Sequence, residues 1–217
     1  MVAPDYRGFG QSSALDLDKS GMHDLAGDVI DLLDRLDITK AVVAGCSMGG
    51  YVAFDLLERA PNYVSGLVLI DTRAGADTDD VKANRRTMLE RVDQGGAEAI
   101  AGEMTPKLLG ATTRRERPDL VKQVHDLICS NSPAAIKTAV NAIMERRDMT
   151  PLLPKITIPT LIVAGAEDTL IPLTAAEEMH RAVRQSTLEI IPLAGHLPNL
   201  EQAIRFDAAL ARFLQRL

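Results

Sequence analysis

The chain of 217 residues has little cysteine, few aromatic residues and no tryptophan. Its two cysteines, Cys46 and Cys129, are far apart and follow neither the spacing of a metal site nor that of a disulfide framework. No apolar run is long enough to span a bilayer, and the first residues do not follow a signal-peptide pattern. We therefore expect a cytoplasmic protein that binds neither a metal nor a membrane.

An excess of basic residues is also absent. The formal net charge is −6, which argues against nucleic acid or an anionic membrane as the main partner. Hydrophobic residues make up 46% of the chain and charged residues 25%, as in ordinary globular proteins. The length suits one domain with a sizeable core, and internal repeats are not evident. The composition thus leaves an enzyme or a binding protein for small molecules.

The sequence from residue 40 to residue 60 carries the strongest functional pattern. Residues 41–43 form a short apolar run typical of a buried strand, then Gly45-Cys46-Ser47-Met48-Gly49 leads into a helical pattern. Strand, G-x-S-x-G and helix in this order are what a nucleophile elbow requires. We expect Gly45 and Gly49 to leave room for the close approach of strand and helix. The pattern predicts that Ser47 is a nucleophile whose helix directs free N–H groups to an oxyanion.

Cys46 is the alternative nucleophile within the same motif. Nothing around it in the sequence indicates a lowered thiol pKa. Its side chain is also expected to leave the turn on the side opposite to Ser47. We therefore interpret Cys46 as a small packing residue.

Apolar runs and helical periodicity alternate along most of the chain. We predict strands at residues 1–4, 41–44, 64–70, 160–164 and 187–191. We predict helices at residues 22–36, directly after the elbow, at 172–183 and at 200–214. This alternation indicates an α/β fold, a mostly parallel sheet with helices on both faces.

The alternation stops between residues 79 and 147, where three or four helices and no strand are predicted. We interpret residues 74–150 as a helical lid, and residues 1–73 and 151–217 as the α/β core. The basic residues of this lid are predicted mostly to face solvent, with contact to an anionic substrate as the alternative. They are Arg85, Arg86, Arg114, Arg115 and Arg117.

An acid and a histidine follow the two later strands. Asp168 comes just after the strand that begins at Thr160, and His196 comes after the next strand. Both therefore lie at strand carboxyl ends, as Ser47 does, so the three side chains can converge at one edge of the sheet. Asp71, which ends the strand before the lid, is an alternative acid. The remaining histidines fall on predicted helices, where a packing or surface role is expected: His23, His125 and His180.

These motifs together resemble those of the α/β-hydrolase fold family, over nearly the whole chain. Residues 5–12 are similar to its D-x-R-G-x-G-x-S loop, residues 45–50 to its G-x-S-M-G-G elbow, and residues 165–168 and 195–196 to its acid and histidine loops. The resemblance is nearest to the lidded, cofactor-free members: 3-oxoadipate enol-lactonases, small esterases and non-haem perhydrolases. Epoxide hydrolases and haloalkane dehalogenases place an aspartate where this chain has Ser47.

The resemblance implies a role for each site residue. Ser47 attacks a carbonyl carbon, His196 takes the serine proton and returns it to the leaving group, and Asp168 fixes the imidazole tautomer. The backbone N–H of Met48 is one oxyanion donor. We therefore expect a serine hydrolase of a small-molecule ester or lactone that forms an acyl-enzyme, without cofactor or metal.

The sequence departs from the family at its beginning. Family members carry three strands before the loop that residues 5–12 resemble, and the third lies beside the elbow strand and precedes a second oxyanion donor. We therefore expect an N-terminally truncated form of a longer hydrolase, with reduced activity and a tendency to self-associate. The alternative is a catalytically impaired relative that binds a small ligand or a partner in the old pocket.

Overall fold

The computed structural model describes residues 1–12 and 20–217. Within this part of the chain, one sheet contains four strands that are all parallel and adjacent in chain order. The strands are β1 (Ala41–Cys46), β2 (Val64–Ile70), β3 (Thr160–Gly165) and β4 (Ser186–Ile191). The parallel sheet predicted from the alternating pattern is therefore confirmed.

Helices connect the strands and cover the sheet. The core helices are α1 (Met22–Arg35), α2 (Met48–Arg59), α7 (Leu173–Ala182), α8 (Pro198–Glu201) and α9 (Ala203–Leu214). Between β2 and β3 lie α3 (Asp79–Leu108), α4 (Ala111–Glu116), α5 (Pro118–Cys129) and α6 (Pro133–Glu145). None of the helices in the described ranges is both long enough and apolar enough to cross a membrane.

Strand β2 shows how the sequence builds the core. Successive side chains of a strand point to opposite faces, so a strand covered on both faces is apolar throughout. Leu67 and Leu69 belong to a buried cluster that includes Phe54 of α2. Val68 belongs to the cluster on the other face, which includes Phe213 of α9. The sheet is thus held between two apolar layers, with its carboxyl edge left for the site.

Strand β1 is the edge strand of the described sheet, although its sequence predicts a central position. It pairs only with β2 among the described residues, and Ala44 is exposed while Val42 and Val43 are partly buried. The predicted strand at residues 1–4 was wrong, because these residues are exposed and form no pairing with the sheet. Apolar character alone indicates burial, but the place of a strand in a sheet depends on its partners.

The helices between β2 and β3 form one unit, here called the helical insertion (residues 74–150). Its longest helix, α3, changes direction at Gly96, whose φ is 62°. A positive φ of this kind is easily adopted only by glycine. The hydroxyl groups of Thr78 and Ser132 cap α3 and α6 by accepting backbone N–H bonds. The insertion lies across the carboxyl edge of the sheet, where it closes a cavity.

Candidate active site

Ser47 occupies a strained turn between β1 and α2. Its φ is 51° and its ψ is −113°, a conformation that L-residues rarely adopt and that typically costs about 1–3 kcal/mol. Three hydrogen bonds hold its backbone there, one of them from the Gly50 N–H to the Ser47 carbonyl at 3.0 Å. The Ser47 N–H donates to the Ile70 carbonyl at 2.9 Å, and the Thr72 hydroxyl donates to the Ser47 carbonyl at 2.8 Å. The fold therefore fixes a serine at the carboxyl edge of the sheet in a geometry typical of a functional site.

The glycines around Ser47 differ in how much space a side chain would have at each position. A Cβ at Gly45 would lie 2.2 Å from the carbonyl carbon and oxygen of Gly49, so only glycine fits there. A Cβ at Gly50 would lie 2.5 Å from the Thr72 hydroxyl. A Cβ at Gly49 would meet only the Tyr6 hydroxyl, at 3.8 Å. The prediction that a side chain at position 49 would collide with its surroundings was thus wrong. The second position at which a Cβ would collide is Gly50.

Asp168 and His196 form a buried pair. Asp168 Oδ2 and His196 Nδ1 are 2.8 Å apart, and the two side chains are 1% and 4% exposed. The other carboxylate oxygen of Asp168 accepts the N–H groups of Leu170 at 2.7 Å and Ile171 at 3.3 Å. These hydrogen bonds hold the Asp168 carboxylate in one orientation. The carboxylate in turn sets the tautomer and the orientation of the His196 imidazole.

Ser47 and His196 line the same cavity of about 540 Å³ beneath the helical insertion. The largest share of the cavity wall comes from apolar side chains of the insertion, among them Met88, Ile100, Met104, Ile136 and Val140. Polar residues lie both at the sheet edge, with Ser47 and His196, and on the insertion, with Arg85, Glu103 and Lys107. A small molecule with an apolar body and one reactive carbonyl matches this arrangement.

Met48 is the first residue of α2 and directly follows Ser47. The first N–H groups of a helix have no acceptor within the helix, and the helix dipole makes this end positive. The Met48 N–H therefore lies where negative charge on an oxygen bound beside Ser47 can be stabilised.

Cys46, the alternative nucleophile, ends β1 with its thiol directed to the histidine loop. Its Sγ contacts the His196 carbonyl oxygen at 3.7 Å. Burial, followed by the nearby carboxylates of Asp71 and Asp168, raises the pKa of the thiol to about 12. Because the thiolate is the reactive form, this environment disfavours Cys46 as a nucleophile.

Asp71, the alternative acid, lies behind Asp168. It is 3% exposed, its Oδ1 accepts the Gly165 N–H at 2.8 Å, and its buried Oδ2 has no partner among the described residues. Burial, only partly opposed by the Gly165 N–H, acts with the charge of Asp168 to raise the pKa of Asp71 to about 8. These surroundings favour the protonated carboxyl group, which can donate a hydrogen bond to Asp168.

A buried glutamate that the sequence analysis did not identify ties the histidine loop to the helical insertion. The Glu201 carboxylate accepts the N–H groups of Gly110 at 2.7 Å, Gly195 at 2.8 Å and Leu197 at 3.1 Å. It is only 5% exposed. The one sequence signal was an acid within the short apolar segment that follows His196, and such an acid usually faces solvent.

The acid loop is tied to the insertion as well. Glu167 accepts the backbone N–H of Thr112 at 2.8 Å and its hydroxyl at 2.6 Å, and these two bonds lower the pKa of Glu167. The insertion thus contacts the loop that carries Asp168 and, through Glu201, the loop that carries His196. A shift of the insertion would therefore also move the loops that carry Asp168 and His196.

The other polar residues considered from the sequence are spread over the surface, with one exception. Arg85 lines the cavity, whereas the four remaining arginines are exposed: Arg86, Arg114, Arg115 and Arg117. His23 and His180 are exposed on α1 and α7, and His125 lies on α5.

Two groups in the described part of the chain bring three possible metal ligands within 4.8 Å of one another. One is Glu98, His125 and Cys129 on the helical insertion, and the other is Asp71, Asp168 and His196. In the second group the aspartate and the imidazole already hydrogen-bond each other, which is the arrangement of a histidine oriented for proton transfer.

Comparison with known proteins places this geometry in a family. The family model described as alpha/beta hydrolase fold matches residues 1–203. An uncharacterised protein of Mycobacterium tuberculosis is 30% identical over 233 residues, which cover 99% of this chain and 67% of the relative. The 3-oxoadipate enol-lactonase 1 of Acinetobacter baylyi is 27% identical over 216 residues, covering 99% of this chain and 78% of the enzyme.

A solved structure is also similar over nearly the whole chain. It is a thermophilic esterase from Thermogutta terrifontis with malate bound, 38% identical and with a TM-score of 0.93. The match covers 98% of this chain and 78% of the esterase. The chain therefore belongs to the α/β-hydrolase fold family, as its motifs predict.

Proposed function

We propose that the protein is a serine hydrolase that cleaves a small-molecule carboxylic ester or lactone through an acyl-enzyme. The observation that carries the proposal is that Ser47, on its strained turn, and His196, bonded to Asp168, line one cavity. The similarity to an esterase and to an enol-lactonase supports the same chemistry.

In the proposed mechanism, Ser47 Oγ attacks the carbonyl carbon while His196 Nε2 accepts the hydroxyl proton. The tetrahedral oxyanion receives the Met48 N–H. The carbon–oxygen bond to the leaving group then breaks, and His196 returns the proton to that oxygen. A water molecule, deprotonated by His196, hydrolyses the acyl-enzyme. Throughout, Asp168 accepts the Nδ1–H of His196 and stabilises the imidazolium that forms.

The helical insertion acts as a lid in this proposal. The insertion supplies most of the residues that line the cavity, and its contacts to the acid and histidine loops support a position over Ser47. A lid of this kind excludes water from the acyl transfer step and selects the acyl group by shape. Residues 74–150 would then carry substrate selectivity, and the core would carry the chemistry.

Kinetics on a panel of acyl esters and lactones tests this proposal. We expect turnover that is lost in Ser47→Ala and kept in the neighbouring control Cys46→Ala. Asp168→Asn should reduce turnover by about 10⁴-fold, since the imidazole would then adopt the wrong tautomer. Hydrolysis that persists in Ser47→Ala, or that disappears in Cys46→Ala with the fold intact, would contradict the proposal.

A further inference from the structure

A buried ionic cluster lies at the start of the helical insertion. The Asp77 side chain is 0% exposed and binds three guanidinium groups. Arg73 donates to it at 2.5 Å, Arg146 lies 2.8 Å from it, and Arg85 donates to its second oxygen. Burial opposes the charge on Asp77, but hydrogen bonds from Arg85 and Arg146 outweigh it and lower the pKa of Asp77. One carboxylate therefore faces three cations, which leaves positive charge in excess.

The three arginines differ in what else they contact. Arg146 is 2% exposed, lies 4.2 Å above the Tyr51 ring, and donates to the carbonyl groups of Ile143 and Gly75. It is a structural residue. Arg73 and Arg85 instead line the cavity that contains Ser47 and His196, and their side chains are 24% and 21% exposed. The excess positive charge is therefore open to a molecule in the cavity.

One nitrogen of the Arg73 guanidinium group lacks a hydrogen-bond acceptor within the described part of the chain. The Arg73 Nε is buried and has no hydrogen-bond partner among the described residues; the same holds for Arg146 Nε, but of the two arginines Arg73 alone lines the cavity. A buried donor left without an acceptor destabilises a protein, so such groups usually mark a ligand position or an ordered water.

The other charged groups of the cavity wall do not balance Arg73 and Arg85. Glu103 is the one carboxylate among the described cavity-lining residues, and it already binds Lys107 at 2.6 Å and Arg91. Asp77 holds the guanidinium groups in place but cannot neutralise all of them. A planar anion with two oxygens matches the fork of donors on arginine better than a single point charge does.

We propose that Arg73 and Arg85 bind an ionised carboxyl group of the substrate, so that the preferred ester or lactone is anionic. This inference rests on the proposed hydrolase function and specifies its substrate class. The carboxylate would balance the excess charge and accept from arginine donors at one end of the cavity, while the reacting carbonyl lies beside Ser47 at the other.

Two matched ester pairs test this. Monomethyl adipate and dimethyl adipate differ by one negative charge on the acyl side, and acetoxyacetate and methyl acetoxyacetate differ by one on the alcohol side. For at least one pair, we expect kcat/KM for the anion to exceed that for the neutral ester by about 10- to 100-fold, as for a lost charge-assisted hydrogen bond. Arg73→Gln and Arg85→Gln should each remove most of this preference.

The controls separate binding from folding. Arg73→Lys keeps the charge but not the planar fork and should give an intermediate preference. Arg115→Gln removes an exposed arginine of the same insertion and should change nothing. Arg73→Gln and Arg85→Gln should lower kcat/KM more for the anionic ester of a pair than for its neutral partner. Equal effects of Arg73→Gln on anionic and neutral esters would overturn the inference.

The proposed function and this inference fail separately. Ser47-dependent hydrolysis of the neutral esters, without any preference for the anions, would leave the function standing and overturn the inference. If no ester is hydrolysed, calorimetric titration with adipate decides the inference alone. Binding that is lost in Arg73→Gln supports it, and the absence of adipate binding overturns it.

Discussion

The two carboxyl groups close to His196, those of Asp168 and Asp71, differ in their hydrogen-bond partners. Asp168 accepts two backbone N–H groups with one oxygen and contacts the imidazole with the other. Asp71 has one backbone donor and one buried oxygen without a partner, so the neutral form is favoured. The two acids can therefore divide two tasks, in which Asp168 holds His196 and a neutral Asp71 supports Asp168.

Asp71 should make the stability of the protein depend on pH. Its pKa rises from 3.8 to about 8 on folding, chiefly through burial, with smaller contributions from Asp168 and Glu201. Between these values the native state binds a proton that the unfolded chain releases, so stability falls as pH rises from about 4 to 8 and then levels off. The slope contributed by one such group is at most about 1.4 kcal/mol per pH unit.

Asp71→Asn isolates this effect. The amide cannot ionise but can donate to Asp168, so the free energy of unfolding of the variant, relative to the wild type, should rise with pH between 4 and 8. Urea unfolding at several pH values measures this. Turnover at pH 7 should change little, because the neutral donor is retained. Parallel stability curves for the two proteins would show that Asp71 is ionised in the fold.

The sequence predicted which side chains meet but not their protonation states. Ser47, Asp168 and His196 each follow a parallel strand, and the carboxyl ends of parallel strands share one edge, so their convergence was predictable. The protonation of Asp71 depends on burial under residues distant in the chain. The role of Glu201 depends on N–H groups that the helical insertion and the histidine loop leave unpaired.

At the scale of elements, Glu201 is the junction of the histidine loop, α8 and the helical insertion. Glu201→Ala would leave the N–H groups of Gly110, Gly195 and Leu197 buried without an acceptor. Each such group typically costs about 1–3 kcal/mol, so we expect a loss of several kcal/mol in the free energy of unfolding. Glu201→Gln keeps one acceptor oxygen and should lose less.

Turnover gives a second measure of the same junction. Because Glu201 fixes the loop that carries His196, kcat should fall in Glu201→Gln even where the variant is folded, and KM should change less. The exposed Glu178 on α7 offers a matched control, Glu178→Gln, that should leave both properties unchanged. A Glu201→Ala protein with wild-type stability and kcat would contradict this role.

Element boundaries followed the local sequence where one pattern dominated. Strand β2 spans residues 64–70 as predicted, since its positions other than Ser65 and Gly66 carry apolar β-branched or leucine side chains. The predicted final helix at residues 200–214 is divided in the structure into α8 and α9. Gln202, with φ −132° and ψ 52°, separates them. Glutamine is an ordinary helix residue, so nothing local indicated that break.

For the molecule as a whole, the predicted α/β-hydrolase fold is confirmed, and β1, whose apolar sequence resembles that of a central strand, has β2 as its one partner among the described residues. The fold class follows from the alternation of strands and helices, which the spacing of apolar residues along the chain predicts. The position of β1 depends on which strands lie beside it, and within the described residues it has β2 alone. No described residue pairs with the outer backbone groups of β1.

An open edge of this kind favours association with another chain. We predict that the 217-residue protein self-associates with rising concentration, as seen by sedimentation velocity. Ala44→Lys places a charge on the exposed side chain of β1 and should shift the protein toward monomer, because charged edge residues discourage strand pairing. A wild-type protein that stays monomeric at every concentration would contradict this prediction.

The central claim is that Ser47 is the nucleophile of a serine hydrolase, and covalent labelling tests it most directly. The protein is treated with a fluorophosphonate, digested, and the adduct is assigned to a residue by mass spectrometry. We predict a single phosphonylated residue, Ser47, with labelling lost in Ser47→Ala, strongly slowed in His196→Ala and retained in Cys46→Ala. An adduct on another residue, or no adduct on a folded wild-type protein, would contradict the account.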